Sequence, residues 1–271
     1  MNKTGFDTSR ALDRALSLLE LVSRSDSPIG TRELARSLEY PLTATHRILT
    51  TLEAHGFVRK DAQSEGYVLG TKILELGARF LERLDFRRVA YPVMCDVRDR
   101  CDETVDLFVA DGAERVCVES VQSRQGVRSV VSIGTRIPIY AGAAGKVLLA
   151  HLPAEQLETV LASGLQEITH NTIADPIALR RELDLVKAQG WARSVGEAVA
   201  GNACVAAPIW GGMPPRLLAA LSVAVPVTRF TPDREQSLVE SVREAASRIS
   251  SLLGAAGLLT ETASRGPNGR S

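Results

Sequence analysis

Residues 142–146 read Gly-Ala-Ala-Gly-Lys, the nearest approach in this chain to a loop that cradles a phosphate. Such a loop needs an earlier glycine where Tyr140 stands, and a Ser or Thr where Val147 stands, so the reading is rejected. Ser194-Val195-Gly196 follows Ala192 and not a glycine, so it is no nucleophile elbow. His151, His170 and Glu197 are metal-ligand types, but their spacing gives no support to a metal site. Cys95, Cys101, Cys117 and Cys204 form no Cys-x-x-Cys pair and read as ordinary buried thiols. No catalytic residue, cofactor or metal is therefore expected.

Two other groups of residues could do chemistry of a different kind. Thr43, His46, Arg47 and Thr50 fall at i, i+3, i+4 and i+7 and share one face of a helix. Short hydroxyls and an arginine on one face can reach base edges and phosphates. The second group is small: Ala141 to Gly145 would open a helix, where free N–H groups and the dipole favour an anion. Gly196, Glu197, Gly201, Asn202 and Cys204 follow Ser194 in a stretch read as a loop entering a strand, with Ser222 on the facing strand. A pocket of such residues suits a small polar or carboxylated molecule. Close packing and tight turns explain the same residues, and pattern alone leans that way.

The elements that must position the first group are short helices. Leu12, Leu16, Leu19 and Val22, with Ala15 and Leu18 between them, repeat at helical spacing up to about Ser25. After the turn Asp26-Ser27-Pro28-Ile29-Gly30, Thr31 is expected to cap a second helix with Glu33 in its first turn. Tyr40-Pro41 breaks it, and a third helix buries Ala44, Ile48, Leu49 and Leu52. Phe57 to Lys60 and Tyr67 to Leu69 then read as the two strands of a wing around the loop Asp61 to Gly66. This is a winged helix-turn-helix, whose second helix enters the major groove. Thr31, Arg32, Thr43, Thr45, His46, Arg47 and Thr50 are the expected DNA-facing residues, with Arg59 and Lys60 of the wing on phosphates. Thr71 to Leu84 is an amphipathic helix with Ile73, Leu76, Gly77, Phe80 and Leu84 on one face, a linker or an oligomer contact.

Beyond it the pattern is mixed. A helix near Val89 to Arg100 leads to strands at Thr104–Val109, Arg115–Val121 and Val127–Ile133, then a loop at 134–138. Helices follow near Ala144–Ala150, Ala154–Ala162 and Ala178–Gln189, strands at Cys204–Ile209 and Leu217–Val225, and a last helix from Pro232 to about Leu253. Hairpins with helical crossovers make an α+β fold around a largely antiparallel sheet.

Composition narrows the function. The chain has 271 residues, 45% hydrophobic and 24% charged, with 32 basic against 32 acidic residues. Zero formal net charge excludes coating nucleic acid through bulk charge, though not a local basic surface. There is no apolar run of membrane-helix length and no signal-peptide core, so no membrane partner and a cytoplasmic location are expected.

Three stretches resemble the IclR-type bacterial transcription regulators. They are Leu42 to Leu52 with Gly56-Phe57-Val58; Gly134 to Ala141 with Gly145 to Ala150; and Gly190-Trp191, Gly196-Glu197, Gly201 to Pro208 and Ala219 to Val223. The resemblance spans about Arg10 to Leu253. It implies an N-terminal domain on double-stranded operator DNA and a GAF-like C-terminal domain that binds a small effector, commonly an organic acid or aromatic catabolite. It also implies a homodimer or homotetramer, and action as repressor, activator or both. The domains would be 1–70 for the winged helix, 71–86 for the linker, 87–257 for the effector domain and 258–271 for a disordered tail. Carried over residue by residue, the effector site includes Ala143, Ala144, Cys204 and Ser222, with Ser194 where some members place an acid and Ala224 where a second serine occurs. Tyr140 replaces a frequent histidine. These departures point to a different or larger effector than a glyoxylate-like acid. Two other readings stand beside this one: a ligand-sensing module acting through protein partners, and an enzyme that uses its winged helix for assembly.

Overall fold

The computed structural model describes residues 9–255, so the expected tail at 258–271 lies outside the described residues. The chain divides into two compact units, Met1–Arg83 and Leu84–Ser271.

The first unit holds α1 (Arg10–Arg24), α2 (Thr31–Ser37), α3 (Leu42–Ala54), the hairpin β1 (Val58–Lys60) and β2 (Tyr67–Leu69), and α4 (Thr71–Glu82). Its core is small: Leu18, Val22, Ile29, Leu34, Leu49, Leu52, Val58 and Tyr67 are buried together. Each such side chain contributes about 1.5–3 kcal/mol relative to exposure. The buried face of α1 is Leu18 and Val22, while Leu12 and Leu16 of the expected stripe stand exposed. Thr31 does not cap α2; it is the first helical residue, and Gly30 occupies the cap position without a side-chain bond. The wing is tied down by Ile29, which forms a bridge with Tyr67. The strand end approaches the helix end so closely that a Cβ on Gly70 would collide with the Gly56 carbonyl oxygen.

The second unit begins with α5 (Asp85–Cys101), longer at its start than the sequence pattern indicated. Then come β3 (Thr104–Asp111), β4 (Glu114–Val121), β5 (Arg136–Pro138), α6 (Ala143–Ala150), α7 (Ala154–Ala162), α8 (Pro176–Gln189), β6 (Ala192–Val195), β7 (Asn202–Gly211), β8 (Arg216–Pro226) and α9 (Pro232–Ala255). The six strands make one antiparallel sheet in the order β5-β4-β3-β8-β7-β6. Helices α6, α7 and α8 bury their apolar residues on the sheet face that carries Phe108, Cys117, Ala206 and Ala220. Helices α5 and α9 pack on each other, α5 on β3 and β4 and α9 on β7 and β8.

Three readings of this unit need correction. Val127 to Ile133 is not a strand; the short strand is β5 at Arg136–Pro138, inside the segment read as a loop. Val127, Val130 and Ile133 are exposed, so their β-branched run has no sheet neighbour to bury it. Ser194 lies on β6, paired with Cys204, and not in a loop. Thr104 to Phe108 are all buried, because helices cover both faces of β3. Alternation therefore sorts the residues of β3 between two interiors, not between core and water.

Candidate functional site

Helices α2 and α3, with the turn that ends in Pro41 between them, form the helix-turn-helix. Thr43, His46, Arg47 and Thr50 stand exposed on α3, Arg32 is exposed on α2, and Thr31 is half-buried. Among the described residues Arg47 and Arg32 make no ion pair, so their charges face solvent. Thr50 donates its hydroxyl back to the His46 carbonyl at 3.0 Å, leaving the oxygen to accept.

Thr45 departs from the expected DNA face. It is 0% exposed and its Oγ1 donates to the Pro41 carbonyl at 3.1 Å. It falls one residue before His46, which turns it about 100° round the helix onto the buried side with Leu49 and Leu52. On the wing Arg59 is exposed without an ion pair, whereas Lys60 sits 3.5 Å from Glu65. The wing turn is held by Asp61, whose carboxylate accepts the N–H groups of Gln63 and Ser64 and the Ser64 hydroxyl. Those bonds lower its pKa. Arg36, exposed in the last turn of α2, is a cation on this unit that the sequence reading did not single out.

In the second unit the sheet register builds a cavity. Ser194 pairs with Cys204, Cys204 with Ala224, and Ala224 with Thr104, in one row across β6, β7, β8 and β3. The next row sets Ser222 beside Asp106 and Asp106 beside Ser120. Residues two apart on a strand share a face, so Asp106, Phe108, Cys204, Ser222 and Ala224 all look toward the start of α6. The cavity between them is lined by all six of Ala143, Ala144, Ser194, Cys204, Ser222 and Ala224. Its apolar walls are Phe108, Val131, Ile137, Ala198 and Val199. Its volume is about 40 Å³, room for roughly three waters.

The lining also holds two charged groups, Asp106 and Arg115, that the sequence reading missed. Asp106 is 1% exposed, and its Oδ1 accepts the Ser120 hydroxyl at 2.7 Å. Burial raises its pKa from the ordinary carboxylate value to about 7, against the pull of the Ser120 bond and of Arg115. Arg115 is 5% exposed, with its guanidinium 5.0 Å from the Phe108 ring centroid. Nη1 donates to the Ala141 carbonyl, and Nε is buried with no hydrogen-bond partner among the described residues. Burial lowers its pKa to about 10, so it remains a cation at neutral pH. A charged residue inside an apolar strand has no water to face once both sides of the sheet are covered.

Of the residues set aside as catalytic or metal-binding, Lys146, Glu197 and His151 have structural work, while His170 is exposed. Lys146 is buried and donates to Glu197 at 2.7 Å and Glu182 at 2.8 Å. The other Glu197 oxygen accepts the Gly142 N–H at 3.1 Å, a carboxylate at the positive end of α6. His151 stands edge-on to Trp210 with its Nδ1 2.9 Å from the Val147 carbonyl. Among the described residues no group of three or more His, Cys, Asp or Glu could hold a metal ion, and the four cysteines are free. Burial pushes the Cys204 thiol up to about 12, which leaves it protonated and unreactive. No described helix is long and apolar enough to cross a membrane.

A helix-turn-helix with an exposed polar recognition helix and a wing, followed in the chain by a cavity-bearing α+β unit, is the build of a DNA-binding transcription regulator. Comparison with known proteins names the family. The description "Bacterial transcriptional regulator IclR C-terminal" matches residues 78–251, and "IclR helix-turn-helix domain" matches residues 11–62. The transcriptional regulator KipR of Bacillus subtilis is 36% identical over 247 residues, covering 91% of this chain and 98% of that protein. The transcriptional repressor AllR of Klebsiella pneumoniae is 33% identical over 247 residues, covering 91% and 90%. Among solved structures, the IclR of Thermotoga maritima matches with a TM-score of 0.73 at 29% identity, over 90% of this chain and 98% of that one. An IclR homologue from Microbacterium hydrocarbonoxydans, complexed with 4-hydroxybenzoate, matches at 0.78 with 28% identity, over 90% and 98%. The chain belongs to the IclR family of bacterial transcriptional regulators.

Proposed function

We propose that the first unit binds an operator through Thr43, His46, Arg47 and Thr50, and that the ligand cavity of the second unit sets how tightly it does so. Arg32, Arg59 and Lys60 supply phosphate contacts, and Thr31 stands at the helix start beside them. Thr45 holds α3 in its core and makes no base contact. The observation that carries the reading of the second unit is the meeting of six small residues from four separate elements around one cavity. The relative with bound 4-hydroxybenzoate supports an organic acid as effector. AllR is named a repressor, which supports repression as the sign of regulation here.

The same reading includes a homodimer. Leu12 and Leu16 on α1 and Leu74 and Phe80 on α4 are exposed, and α4 buries no residue within this chain. Apolar residues in such number on one small unit favour a covered surface. A two-fold dimer presents two recognition helices to half-sites about one helical turn apart. As a regulator of bacterial genes, the protein would work in the cytoplasm.

The test is binding of the purified protein to the DNA upstream of its own gene, with salt titrated and unrelated duplex in excess. Specific binding that survives the competitor, with a steep salt slope from phosphate contacts, is expected. Binding that the competitor abolishes, together with failure to enrich any sequence from a random pool with and without small acids, would overturn the operator reading.

A further inference from the structure

The two faces of β4 meet different surroundings. Ser120 looks toward the cavity side, where its hydroxyl donates to Asp106 Oδ1 at 2.7 Å. Glu119, the residue before it, points through the other face of the sheet and is buried against α5. Its carboxylate has two partners among the described residues. Oε1 accepts the N–H of Ser120 at 3.1 Å, and Oε2 lies 2.8 Å from Arg87 Nη2. A continuous line of polar contacts therefore runs from Asp106 in the cavity wall, through the hydroxyl and then the amide of Ser120, to the guanidinium of Arg87.

Arg87 stands in the first turn of α5, just after Leu84, where the second unit takes up the chain from α4. Its hold on Glu119 is incomplete. A guanidinium can grip a carboxylate with two parallel N–H groups. Here Nε is buried with no hydrogen-bond partner among the described residues, and an unsatisfied buried donor is costly. The Oε1 that would complete the fork is engaged by the Ser120 amide. The strand is also built to shift at this point. The pairing of β3 with β4 slips between Leu107 and Phe108, which leaves Val118 as an extra residue directly before Glu119. A bulge so placed lets a strand re-aim the side chains beside it. Two arrangements are thus open to Arg87, one arm on Glu119 or two.

We propose that Arg87 and Glu119 are the positioning residues that carry the state of the cavity to the start of α5. A ligand that takes Asp106 from Ser120 lets β4 shift at its bulge and frees Glu119 Oε1. Arg87 then closes on both carboxylate oxygens and draws the first turn of α5 toward β4. This coupling presupposes the reading of the cavity as the effector site.

Operator affinity of the full-length protein tests it without any ligand, through a double-mutant cycle. Ser120→Ala removes the bond to Asp106 and should change operator affinity by about fivefold or more. In an Arg87→Gln background the same substitution should change it by less than about twofold, because the cavity end no longer reaches α5. Glu119→Gln should suppress the effect in the same way, and serves if the Arg87 variant does not fold. Arg87→Lys keeps a charge beside Glu119 but has no second arm. It should unfold in urea like the wild type and still suppress the effect of Ser120→Ala; a purely structural ion pair would leave that effect undiminished. No effect of Ser120→Ala on operator affinity would overturn the proposal, as would an equal effect in the wild-type, Arg87 and Glu119 backgrounds. Acetate, lactate and benzoate, added singly, separate this from the reading beneath it. If one of them changes operator affinity and Ala144→Leu abolishes the response while Ser120→Ala is without effect, the cavity is the effector site and only the part given to Arg87 and Glu119 fails. If the response survives Ala144→Leu, the cavity is not the effector site.

Discussion

In the first unit the side chains proposed to meet DNA stand in water: Thr43, His46, Arg47, Thr50 and Arg59 are exposed, and among the described residues Arg47 and Arg59 carry unpaired charges. In the second unit the polar residues that line the cavity are sealed, and Asp106, Arg115, Ser194 and Ser222 are all buried. Each placement follows from the partner. A DNA backbone is too large to enclose, so its contacts are long, mobile and screened by salt. A small anion can be enclosed, so each contact is made at low dielectric and is worth more. The energetic scale of substitutions should differ accordingly between the two units.

The largest effect is expected from Ala144→Leu. The added side chain has about 40 Å³ to enter, so ligand affinity should fall below detection while the operator is bound as before. A response to ligand at wild-type concentrations would contradict the difference between the units. Arg47→Ala should weaken operator binding by about 1–3 kcal/mol, roughly 5- to 150-fold, and relax preference at one base position. Ligand affinity should stay unchanged, and equal loss of both in a folded protein would count against a division of labour.

Asp106→Asn tests the burial of this carboxyl through pH. The native carboxyl holds its proton up to about pH 7, whereas the unfolded one releases it near the ordinary value of about 4. Between those values the native state carries more protons, so stability falls as pH rises, by up to about 1.4 kcal/mol per pH unit. The asparagine variant should lack that slope in urea unfolding at pH 5 and pH 7, and parallel curves would show that Asp106 is not buried as described. The smallest effect belongs to Arg59→Ala, a few-fold weakening that is uniform across sequences. It should lower the salt slope by about one; an unchanged slope would remove the wing from the phosphate backbone.

The same contrast explains what could be read from the chain. Exposed polar faces alternate with apolar stripes at helical period, so α2, α3 and the wing were legible, and Arg47 with them. Thr45 was not, because a threonine tolerates either side, and here its hydroxyl is satisfied by the Pro41 carbonyl inside the helix. In the second unit β3, β4, β7 and β8 were legible from their apolar runs, while β6 and β5 were hidden by their shortness: four residues and three. Five of the six small residues were grouped by pattern, but small residues serve packing and pockets alike, and only the family resemblance favoured a pocket and added Ala224. Asp106 and Arg115 went unread because period-two alternation normally means one wet face. Only the helices on both sides of the sheet show that neither charge meets solvent.

Occupancy of the cavity should change operator affinity. It is measured by a linkage pair: operator affinity with and without a saturating small organic acid, and affinity for that acid with and without saturating operator. Both affinities should change by the same factor, because coupling between two binding sites is reciprocal. Operator affinity that is indifferent to a saturated cavity would contradict it.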